Sequence, residues 1–301
     1  MSGEQPVFLV NPASGNGSTG KRWPSLYQRA HELGLDGDVL LSERPGHLTE
    51  LARQAAGQGR LLVVVGGDGT VNEVVNGIAG TGAELAVLPN GTGQDFGRTH
   101  DIPSGFDEAV RVAQSGRSRE VDVGRVTYRD ESGQEATRVF ANVSSAGMSG
   151  AVARRANSMS KALGGRTTFY YALVREFARW RNSEVTVRVD GDERRGPMHD
   201  VIVANGRWHG GGMKLAPDAQ PDDGLFDVVQ IGDVTKLDFV TPSPKQYSGG
   251  HVGHPRVEVL RGAAVDVDAV VPLPLELDGE VAGTTPARYE VVPRALRVRM
   301  P

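Results

Sequence analysis

The stretch from residue 61 to residue 73 constrains the fold of this chain more than any other. An apolar strand runs directly into the glycine-rich turn at residues 66–69, and a helix follows from Thr70. Glycines lack a Cβ atom and let backbone N–H groups approach an anion, while the N-terminus of the helix adds partial positive charge. The stretch therefore predicts a phosphate-binding turn. Because Asp68 would repel a bare phosphate, we interpret the turn as a nucleotide-triphosphate site that uses magnesium, directly or through water.

Short apolar runs alternate with helical segments from the N-terminus to about residue 120. The runs at residues 7–10, 39–41, 61–65 and 85–88 are separated by segments with helical periodicity. Strands that are apolar throughout and separated by helices are typical of a parallel sheet covered on both faces. Ligands bind at the carboxyl ends of the strands in such sheets. We therefore predict an N-terminal α/β nucleotide-binding domain over residues 1–120.

The rhythm changes after residue 120, where short β-type runs are separated by turn residues. These runs are residues 120–128, 138–143, 184–189, 200–204, 225–231, 257–260, 274–277, 289–292 and 296–299. One helix is predicted over residues 168–181, with Phe169, Leu173, Phe177 and Trp180 on its apolar face. The spacing predicts a C-terminal β-sandwich over residues 121–301. Its last residues either complete this domain or return to the first one.

Composition excludes several classes of protein. The 301 residues include no cysteine, so thiolate metal sites, disulfides and cysteine nucleophiles are excluded. A net charge of −4 gives no electrostatic case for nucleic acid, and no nucleic-acid partner is expected. The sequence starts without a recognisable leader and contains no run of about 18 apolar residues. We therefore expect a cytoplasmic protein, either free or peripheral to the inner face of the cell membrane.

Two further glycine-rich turns follow predicted strands. Residues 15–22 almost match the P-loop pattern, but Arg22 occupies the position of the magnesium-binding hydroxyl, so a true P-loop is not expected. Asn11 and Ser14 can still hydrogen-bond a nucleotide there, and a ligand-free connection is the alternative. Residues 89–96 repeat the combination of glycines, a hydroxyl and a carboxylate. For the turn at residues 66–69, the alternative is that Asp68 only caps a helix.

Several motifs in fixed order carry a resemblance that spans nearly the whole chain. They are VNPASGNG at residues 10–17, GGDGT at 66–70, NGTGQDF at 90–96, FANVSSAG at 140–147, NG at 205–206 with GGGM at 210–213, APDA at 216–219 with DDG at 222–224, and LDGE at 277–280. Together they resemble the bacterial diacylglycerol kinase and sphingosine kinase family of lipid kinases. The resemblance implies an NAD-kinase-like α/β domain, a C-terminal β-sandwich with a lipid-accepting cavity, and ATP bound in the cleft between the domains.

The resemblance also implies roles for particular residues. The nucleotide contacts would come from Ser42, Gly66, Gly67, Asp68, Gly69, Thr70, Val71, Asn72 and Thr92. Asp68, Asp95 and Asp122 would form a carboxylate and water network around the catalytic magnesium, and Glu280 would be the general base. A structural metal would be bound by the carboxylate of Asp223 and the carbonyls of Gln220 and Leu225. The alternatives are a solvated strand-end carboxylate for Asp122 and a simple hairpin tip for Glu280.

The chain departs from the family pattern at Gln94, where asparagine is common, and at Met148 and Ser149, where an aromatic residue and aspartate are common. Neither change removes a candidate catalytic carboxylate. The basic stretch from Arg154 to Arg181 is either a membrane-facing surface or a solvated outer face.

The function predicted from the sequence is an ATP-dependent, Mg²⁺-dependent lipid kinase. It transfers the γ-phosphoryl group to a lipid hydroxyl, with diacylglycerol as the first candidate acceptor and phosphatidic acid as the product. The expected partners are ATP and a lipid at a membrane surface, and the sequence leaves a homodimer open. Two alternatives are a small-molecule kinase of the NAD kinase type and a non-catalytic lipid or nucleotide sensor.

Overall fold

A computed structural model of the protein describes residues 5–91, 93–159, 165–235 and 243–301. The chain forms two compact units: Met1–Val123 with Val292–Pro301, and Gly124–Val291. The predicted Thr92 contact and the basic residue Lys161 lie outside the described residues. Among the residues described, no helix is both long and apolar enough to cross a membrane.

The first unit is an α/β layer structure built on a parallel sheet. Its strands are β1 (Val7–Val10), β2 (Asp38–Leu41), β3 (Leu62–Gly66) and β4 (Glu84–Pro89), and its helices are α1 (Ser18–Glu32), α2 (His47–Ala56), α3 (Asp68–Ile78), α4 (Asp95–Thr99) and α5 (Phe106–Ser115). The strand order is β4-β3-β1-β2, and Arg297 and Val298 from the end of the chain pair in parallel with Glu84 and Leu85. All described pairings in this sheet are parallel, which confirms the predicted N-terminal architecture.

Burial explains why the strands of the first unit are apolar along their whole length. Every residue of β1 and β3 is buried, because helices pack on the sheet. Phe8 in β1 packs against Trp23 of α1 with a ring-centroid distance of 5.5 Å. β2 lies at the edge of the sheet, and its exposed Leu41 reflects that position.

The second unit is β-rich, as predicted. Its strands are β5 (Arg117–Arg129, which starts in the first unit), β6 (Glu135–Phe140), β7 (Val143–Gly147), β8 (Ser183–Val189), β9 (Asp192–Met198), β10 (Asp200–Ala204), β11 (Phe226–Ile231), β12 (Val257–Gly262), β13 (Ala264–Ala269), β14 (Pro274–Leu277) and β15 (Glu280–Met300, which ends in the first unit). Its helices are α6 (Met148–Ser158) and α7 (Gly165–Arg179), and short 3₁₀ helices cover Ser243–Tyr247 and Gly250–Gly253.

The strands of the second unit pair antiparallel around an apolar core. One run has the order β12-β11-β10-β7-β14-β15, while β13 pairs with β15 and β8, and β8 pairs with β9. Phe140, Phe226 and Tyr289 lie in this core and are fully buried. The rings of Phe140 and Phe226 stack at 5.7 Å.

Several elements of the structure differ from the sequence expectation. β15 is one strand of 21 residues, where the sequence predicted two short strands separated by a break. β9 was missed because its sequence, DERRGPM, has no apolar alternation and contains a proline; the strand pairs only with β8 among the described residues, as suits an edge strand. The predicted helix over residues 168–181 begins earlier, at Gly165, and ends at Arg179. Its Leu173, Phe177 and Trp180 pack against Met148 and Val152, which confirms the apolar face for these residues.

Candidate active site

The turns that follow β3 and β4 lie side by side in the first unit. Gly66 pairs with Pro89 at the carboxyl ends of the two strands, and the Asn90 N–H donates to the Gly66 carbonyl at 2.9 Å. The backbones then approach so closely that a Cβ atom on Gly91 would lie 2.7 Å from the Cα of Gly67. Only glycine at residue 91 permits this approach, because both groups in contact belong to the backbone.

Asp68 joins these two turns. It is the first residue of α3, and its Oδ1 atom accepts the N–H of Phe96 in α4 at 3.0 Å. A Cβ atom on Gly93 would lie 2.0 Å from the other carboxylate oxygen, so this carboxylate lies directly against the second turn. Asp68 therefore caps a helix, as the alternative interpretation held, but it caps α4 and not the helix that it begins.

Asp95 begins α4 and is almost completely buried. Its Oδ1 atom lies 2.6 Å from Nη1 of Arg98, and Arg98 also donates to the Gly93 carbonyl. Gln94, the residue that differs from the family pattern, adopts the left-handed conformation with φ 65°. The second turn thus places Asp95 directly before Phe96, whose N–H donates to the Asp68 carboxylate.

Helix α1, which follows the turn after β1, hydrogen-bonds to the turn after β4. Gly15, Asn16 and Gly17 all have positive φ angles, which shapes the connection into α1. The Asn90 side chain donates to Thr19 Oγ1 at 3.0 Å and accepts from Arg22 Nη1 at 3.2 Å. Arg22, which replaces the P-loop hydroxyl, therefore contacts the turn after β4.

The candidate nucleotide residues occupy different positions around these turns. Asn11 and Ser14 hydrogen-bond within the first turn: Asn11 Oδ1 accepts the Ala13 N–H at 3.0 Å, and Ser14 Oγ donates to the Asn11 carbonyl at 2.9 Å. Ser42 follows β2 and donates its N–H to the Val10 carbonyl at 3.0 Å. In α3, Thr70, Val71 and Asn72 are buried. Contact with a nucleotide stays a prediction for each of these residues.

Asp122 is buried, with 2% of its surface exposed. Its Oδ1 atom accepts the backbone N–H of Arg294 at 2.8 Å, and Arg294 has a φ angle of 51°. The alternative of a solvated strand-end carboxylate is therefore wrong. The role of Asp122 near magnesium stays a prediction.

In the second unit, Glu280 follows a two-residue hairpin turn between β14 and β15. Asp278 and Gly279 have φ angles of 48° and 86°, which is the backbone of a type I′ turn. The Asp278 carboxylate accepts the successive N–H groups of Ala141, Asn142 and Val143 at 2.8–2.9 Å. Glu280 is part-buried, and its Oε2 atom lies 3.0 Å from Nη2 of Arg138.

Sequence reasoning missed a buried polar group beside this turn. Glu276 in β14 is 1% exposed, and its Oε1 atom accepts the Ser145 hydroxyl at 2.7 Å and lies 3.2 Å from Nε2 of His209. No chemistry was assigned to His209 from the sequence, because its spacing fits no metal site. The available signal was Glu276 itself, since a single charged residue between Leu275 and Leu277 is unusual in a buried strand.

Asp200, at the start of β10, is a second buried carboxylate near this group. Its Oδ2 atom accepts the N–H of Ser149 at 2.9 Å and also the Ser149 hydroxyl. Burial raises the pKa of Asp200 to about 7, with the Ser149 hydrogen bonds opposing the shift and the charge of Glu276 adding to it. Ser149 of α6, where the family commonly has aspartate, thus lies beside an aspartate from strand β10.

The predicted structural metal loop has a different observed partner. The Asp223 carboxylate accepts the Leu225 N–H at 3.0 Å and forms an ion pair with Arg261. Within the described ranges, no group of three or more histidine, aspartate or glutamate side chains is arranged to bind a metal. A metal held by Gln220, Asp223 and Leu225 stays a prediction.

The parallel α/β unit with its glycine turns and the antiparallel β-rich unit define a protein of the NAD-kinase-like fold class. A sequence profile of the diacylglycerol kinase catalytic domain matches residues 5–126, and the profile of the YegS C-terminal NAD kinase beta sandwich-like domain matches residues 142–300. The chain therefore belongs to the bacterial diacylglycerol kinase-like family, a family of lipid kinases, and it is an enzyme of that class.

Known proteins support this assignment along the full chain. A diacylglycerol kinase from Staphylococcus carnosus (strain TM300) is 28% identical over 299 residues, which covers 98% of this chain and 94% of the relative. A solved structure of a diacylglycerol kinase from Bacillus anthracis str. Sterne has a TM-score of 0.73 at 20% identity and covers 100% of this chain and 98% of its own. Yeast NADH kinase, solved with NADH, has a TM-score of 0.54 at 13% identity and covers 99% of this chain and 83% of its own. These two structures support the fold alone.

Proposed function

We propose that the protein transfers the γ-phosphoryl group of ATP to the free hydroxyl of diacylglycerol, which gives phosphatidic acid. The observation that carries this proposal is the bond from the Phe96 N–H to Asp68, which joins the two glycine turns at the ends of β3 and β4. Glycine turns expose backbone N–H groups to phosphate, and Asp68 adds a carboxylate at the same place.

Asp68 and Asp95 fit the needs of a magnesium ion bound with a nucleotide. Mg²⁺ takes oxygen ligands and is commonly held by one or two carboxylates together with substrate phosphates. Asp68 accepts the N–H of Phe96, the residue that follows Asp95 in the first turn of α4, so the two aspartates belong to adjoining turns. We assign Asp68 and Asp95 as the residues that hold Mg²⁺, with Asp122 in the surrounding network. When bound, Mg²⁺ would neutralise charge on the phosphates.

Glu280 is the proposed general base. The acceptor hydroxyl gives its proton to a Glu280 carboxylate oxygen as its own oxygen bonds to the γ-phosphorus, and ADP leaves with the electrons of the broken P–O bond. The neighbouring guanidinium of Arg138, 3.0 Å away, holds the Glu280 carboxylate in place. No covalent intermediate with the protein is needed.

Membrane association is proposed through α7. Tyr171 and Val174 on this helix are about half exposed, and Arg179 near its end is exposed too. Exposed apolar and basic side chains on one helix suit a surface rich in anionic lipid. Sedimentation with phosphatidylglycerol vesicles tests this: a double substitution of Tyr171 and Val174 by serine should leave the protein in the supernatant.

The deciding assay measures transfer of labelled phosphate from ATP to diacylglycerol, sphingosine, ceramide, phosphatidylglycerol and NAD. Label on diacylglycerol is the expected result. Label on NAD alone would show an NAD-kinase-type activity instead, and tight ligand binding without transfer would indicate a sensor. Glu280→Ala should lose turnover and keep nucleotide affinity, and full turnover in this variant would remove Glu280 from the mechanism.

A further inference from the structure

The hairpin turn that carries Glu280 is fixed from inside the second unit by Glu276. The Glu276 Oε2 atom accepts the backbone N–H of Gly279 at 2.7 Å, directly before Glu280. Its other oxygen accepts the Ser145 hydroxyl at 2.7 Å and lies 3.2 Å from His209 Nε2. Since an ionised carboxylate only accepts hydrogen bonds, Nε2 of His209 then carries a hydrogen.

The sheet itself does not require a carboxylate at this position. Leu275 and Leu277 belong to the apolar core, and Glu276, between them, points to the opposite face, where it lies directly opposite Ser145 of β7. A buried carboxylate carries a desolvation cost and is often no more stabilising than an apolar residue of similar volume. Strand pairing alone therefore gives no reason for a glutamate there.

One oxygen of the Glu276 carboxylate contacts the turn directly. Gly279 has a φ angle of 86°, and Asp278 already holds the outer side of the turn through three N–H groups of residues 141–143. Glu276 adds a charge-assisted bond to the N–H that follows Asp278, and Ser145 and His209 hold its other oxygen. The residue next in sequence is Glu280.

We propose that Glu276, held by His209 and Ser145, is a positioning residue for Glu280. It fixes the orientation of the turn, and hence of the Glu280 carboxylate, so that the acceptor proton can be taken. This inference rests on the proposed role of Glu280 as the base. His209 takes part in this positioning through its contact with Glu276 Oε1.

Two variants of Glu276 separate geometry from charge. Glu276→Ala removes both oxygens, and kcat should fall by about 30-fold or more, with the KM for ATP within about twofold, because a base displaced by about 1 Å loses much of its effect. Glu276→Gln keeps an oxygen for the Gly279 N–H, and its amide can donate to Ser145 Oγ and, with His209 in the other neutral tautomer, to Nε2 of His209. It should therefore restore kcat to within about fivefold of the original protein.

The matched control is the other Asp-Gly hairpin of the second unit. Asp190 and Gly191 have φ angles of 48° and 98°, and the Asp190 carboxylate accepts the N–H groups of Ala263 and Ala264. Asp190→Ala should loosen this hairpin and lower the unfolding midpoint, but leave kcat unchanged. A fall in kcat equal to that of Glu276→Ala would mean that general loosening explains the loss, and would overturn the proposal.

A double variant tests whether Glu276 acts through Glu280. If it does, Glu276→Ala should lower the residual turnover of Glu280→Ala by less than about twofold. A further 30-fold loss would assign Glu276 a separate role and refute positioning. Full turnover in Glu280→Ala would instead refute the proposed base, which is a different failure.

A readout without substrate completes the test. Hydrogen–deuterium exchange of the peptide that contains residues 276–284 should be at least about tenfold faster in Glu276→Ala and unchanged in Asp190→Ala. His209→Ala should give an intermediate increase. Unchanged exchange in Glu276→Ala would show that Asp278 alone fixes the turn, and would overturn the proposal even if no acceptor lipid were phosphorylated.

Discussion

The turns of the two units are held in shape in opposite ways. In the first unit, the turns after β3 and β4 approach because Cβ atoms are missing, as at Gly67 and Gly91. In the second unit, the turn before Glu280 is held by side chains, since the carboxylates of Glu276 and Asp278 collect four backbone N–H groups. The first turns are thus shaped by absent side-chain atoms, whereas the second is shaped by hydrogen bonds from backbone N–H groups to carboxylates.

This difference teaches what each turn tolerates. A turn that depends on missing atoms fails when a methyl group is added, but keeps its shape when a charge is neutralised. A turn that depends on carboxylates tolerates added volume better than the loss of an acceptor. The predictions below test this contrast, from the largest expected effect to the smallest.

The largest effect is expected for Gly91→Ala. The added Cβ would meet the Cα of Gly67 at 2.7 Å, and both atoms belong to backbone that cannot move independently of the sheet. We expect kinase turnover to fall by more than about 100-fold and unfolding free energy to fall by about 2 kcal/mol. Gly80→Ala is the control, because its added Cβ meets nothing within 4 Å, although its φ of 78° costs some stability. Equal activity in the two variants would contradict the close-approach argument.

Asp68→Asn should separate charge from shape in the first unit. Asparagine keeps an oxygen for the Phe96 N–H, so the unfolding free energy should change by less than about 1 kcal/mol. Turnover should nevertheless fall by about 100-fold, because the charge proposed to hold Mg²⁺ is lost. Urea denaturation and the lipid phosphorylation assay measure the two quantities. A large loss of stability with normal turnover would reverse our assignment of Asp68.

Asp278→Asn should cost more stability than Asp190→Asn, although both replace the first residue of an Asp-Gly turn. Asp278 uses both oxygens for three N–H groups, so an amide NH₂ must face one of them. At Asp190, Oδ1 reaches both N–H groups and Oδ2 shares only the Ala263 N–H, so asparagine keeps an oxygen for each N–H and loses only the shared contact. We expect losses of about 2 and about 0.5 kcal/mol in urea denaturation. Equal losses would show that the turn, and not the acceptor count, sets the cost.

The smallest effects concern pH and the neighbours His199 and Asp200. Burial lowers the pKa of His199 to about 4, from about 6.5, and raises that of Asp200 to about 7, from about 4. Between pH 4 and 6.5 the unfolded chain binds a proton at His199 that the folded protein lacks. The contribution of His199 to the unfolding free energy therefore increases as pH rises. At Asp200 the folded protein binds the extra proton between pH 4 and 7, so this term lowers stability as pH rises.

The two terms oppose each other, and each single variant should reveal the other. Asp200→Asn should become more stable with rising pH between 4 and 6.5, whereas His199→Gln should become less stable between 4 and 7. Each slope should reach at most about 1.4 kcal/mol per pH unit, as one proton allows. Thermal denaturation across this pH range measures both. Parallel pH profiles in the two variants would contradict the opposed terms.

The first unit could be predicted from the sequence more fully than the second. Its central strands β1 and β3 are buried on both faces, so their apolar runs and the glycine turns after them are visible in the sequence itself. The short helix α4 was not predicted because it is only five residues long. In the second unit, β7 was not predicted as a strand of its own because its sequence, VSSAG, carries no strong β signal. Helix α6 was missed because its first turn combines serine and glycine. Both elements form because their neighbours supply the pairing and packing.

In the candidate site, the sequence predicted the residues but not the contacts between them. Asp68, Asp95 and Glu280 were singled out from motifs, and the structure gives each a defined environment. The contact from Asp68 to Phe96 spans 28 residues, and that from Arg138 to Glu280 spans 142. No local pattern encodes such pairs, because the register of the strands decides which side chains meet.

The sequence by itself determined the alternation of strands and helices, the positions of the glycine turns and the family to which the chain belongs. These features depend on local conformational preference and on short-range periodicity, which are written in consecutive residues. Only the tertiary structure decided that Asp68 caps the neighbouring turn, that Asp122 is buried against Arg294, and that Glu276 and His209 lie behind Glu280. A buried carboxylate takes its role from the donors that the fold brings to it, and those donors come from distant parts of the chain.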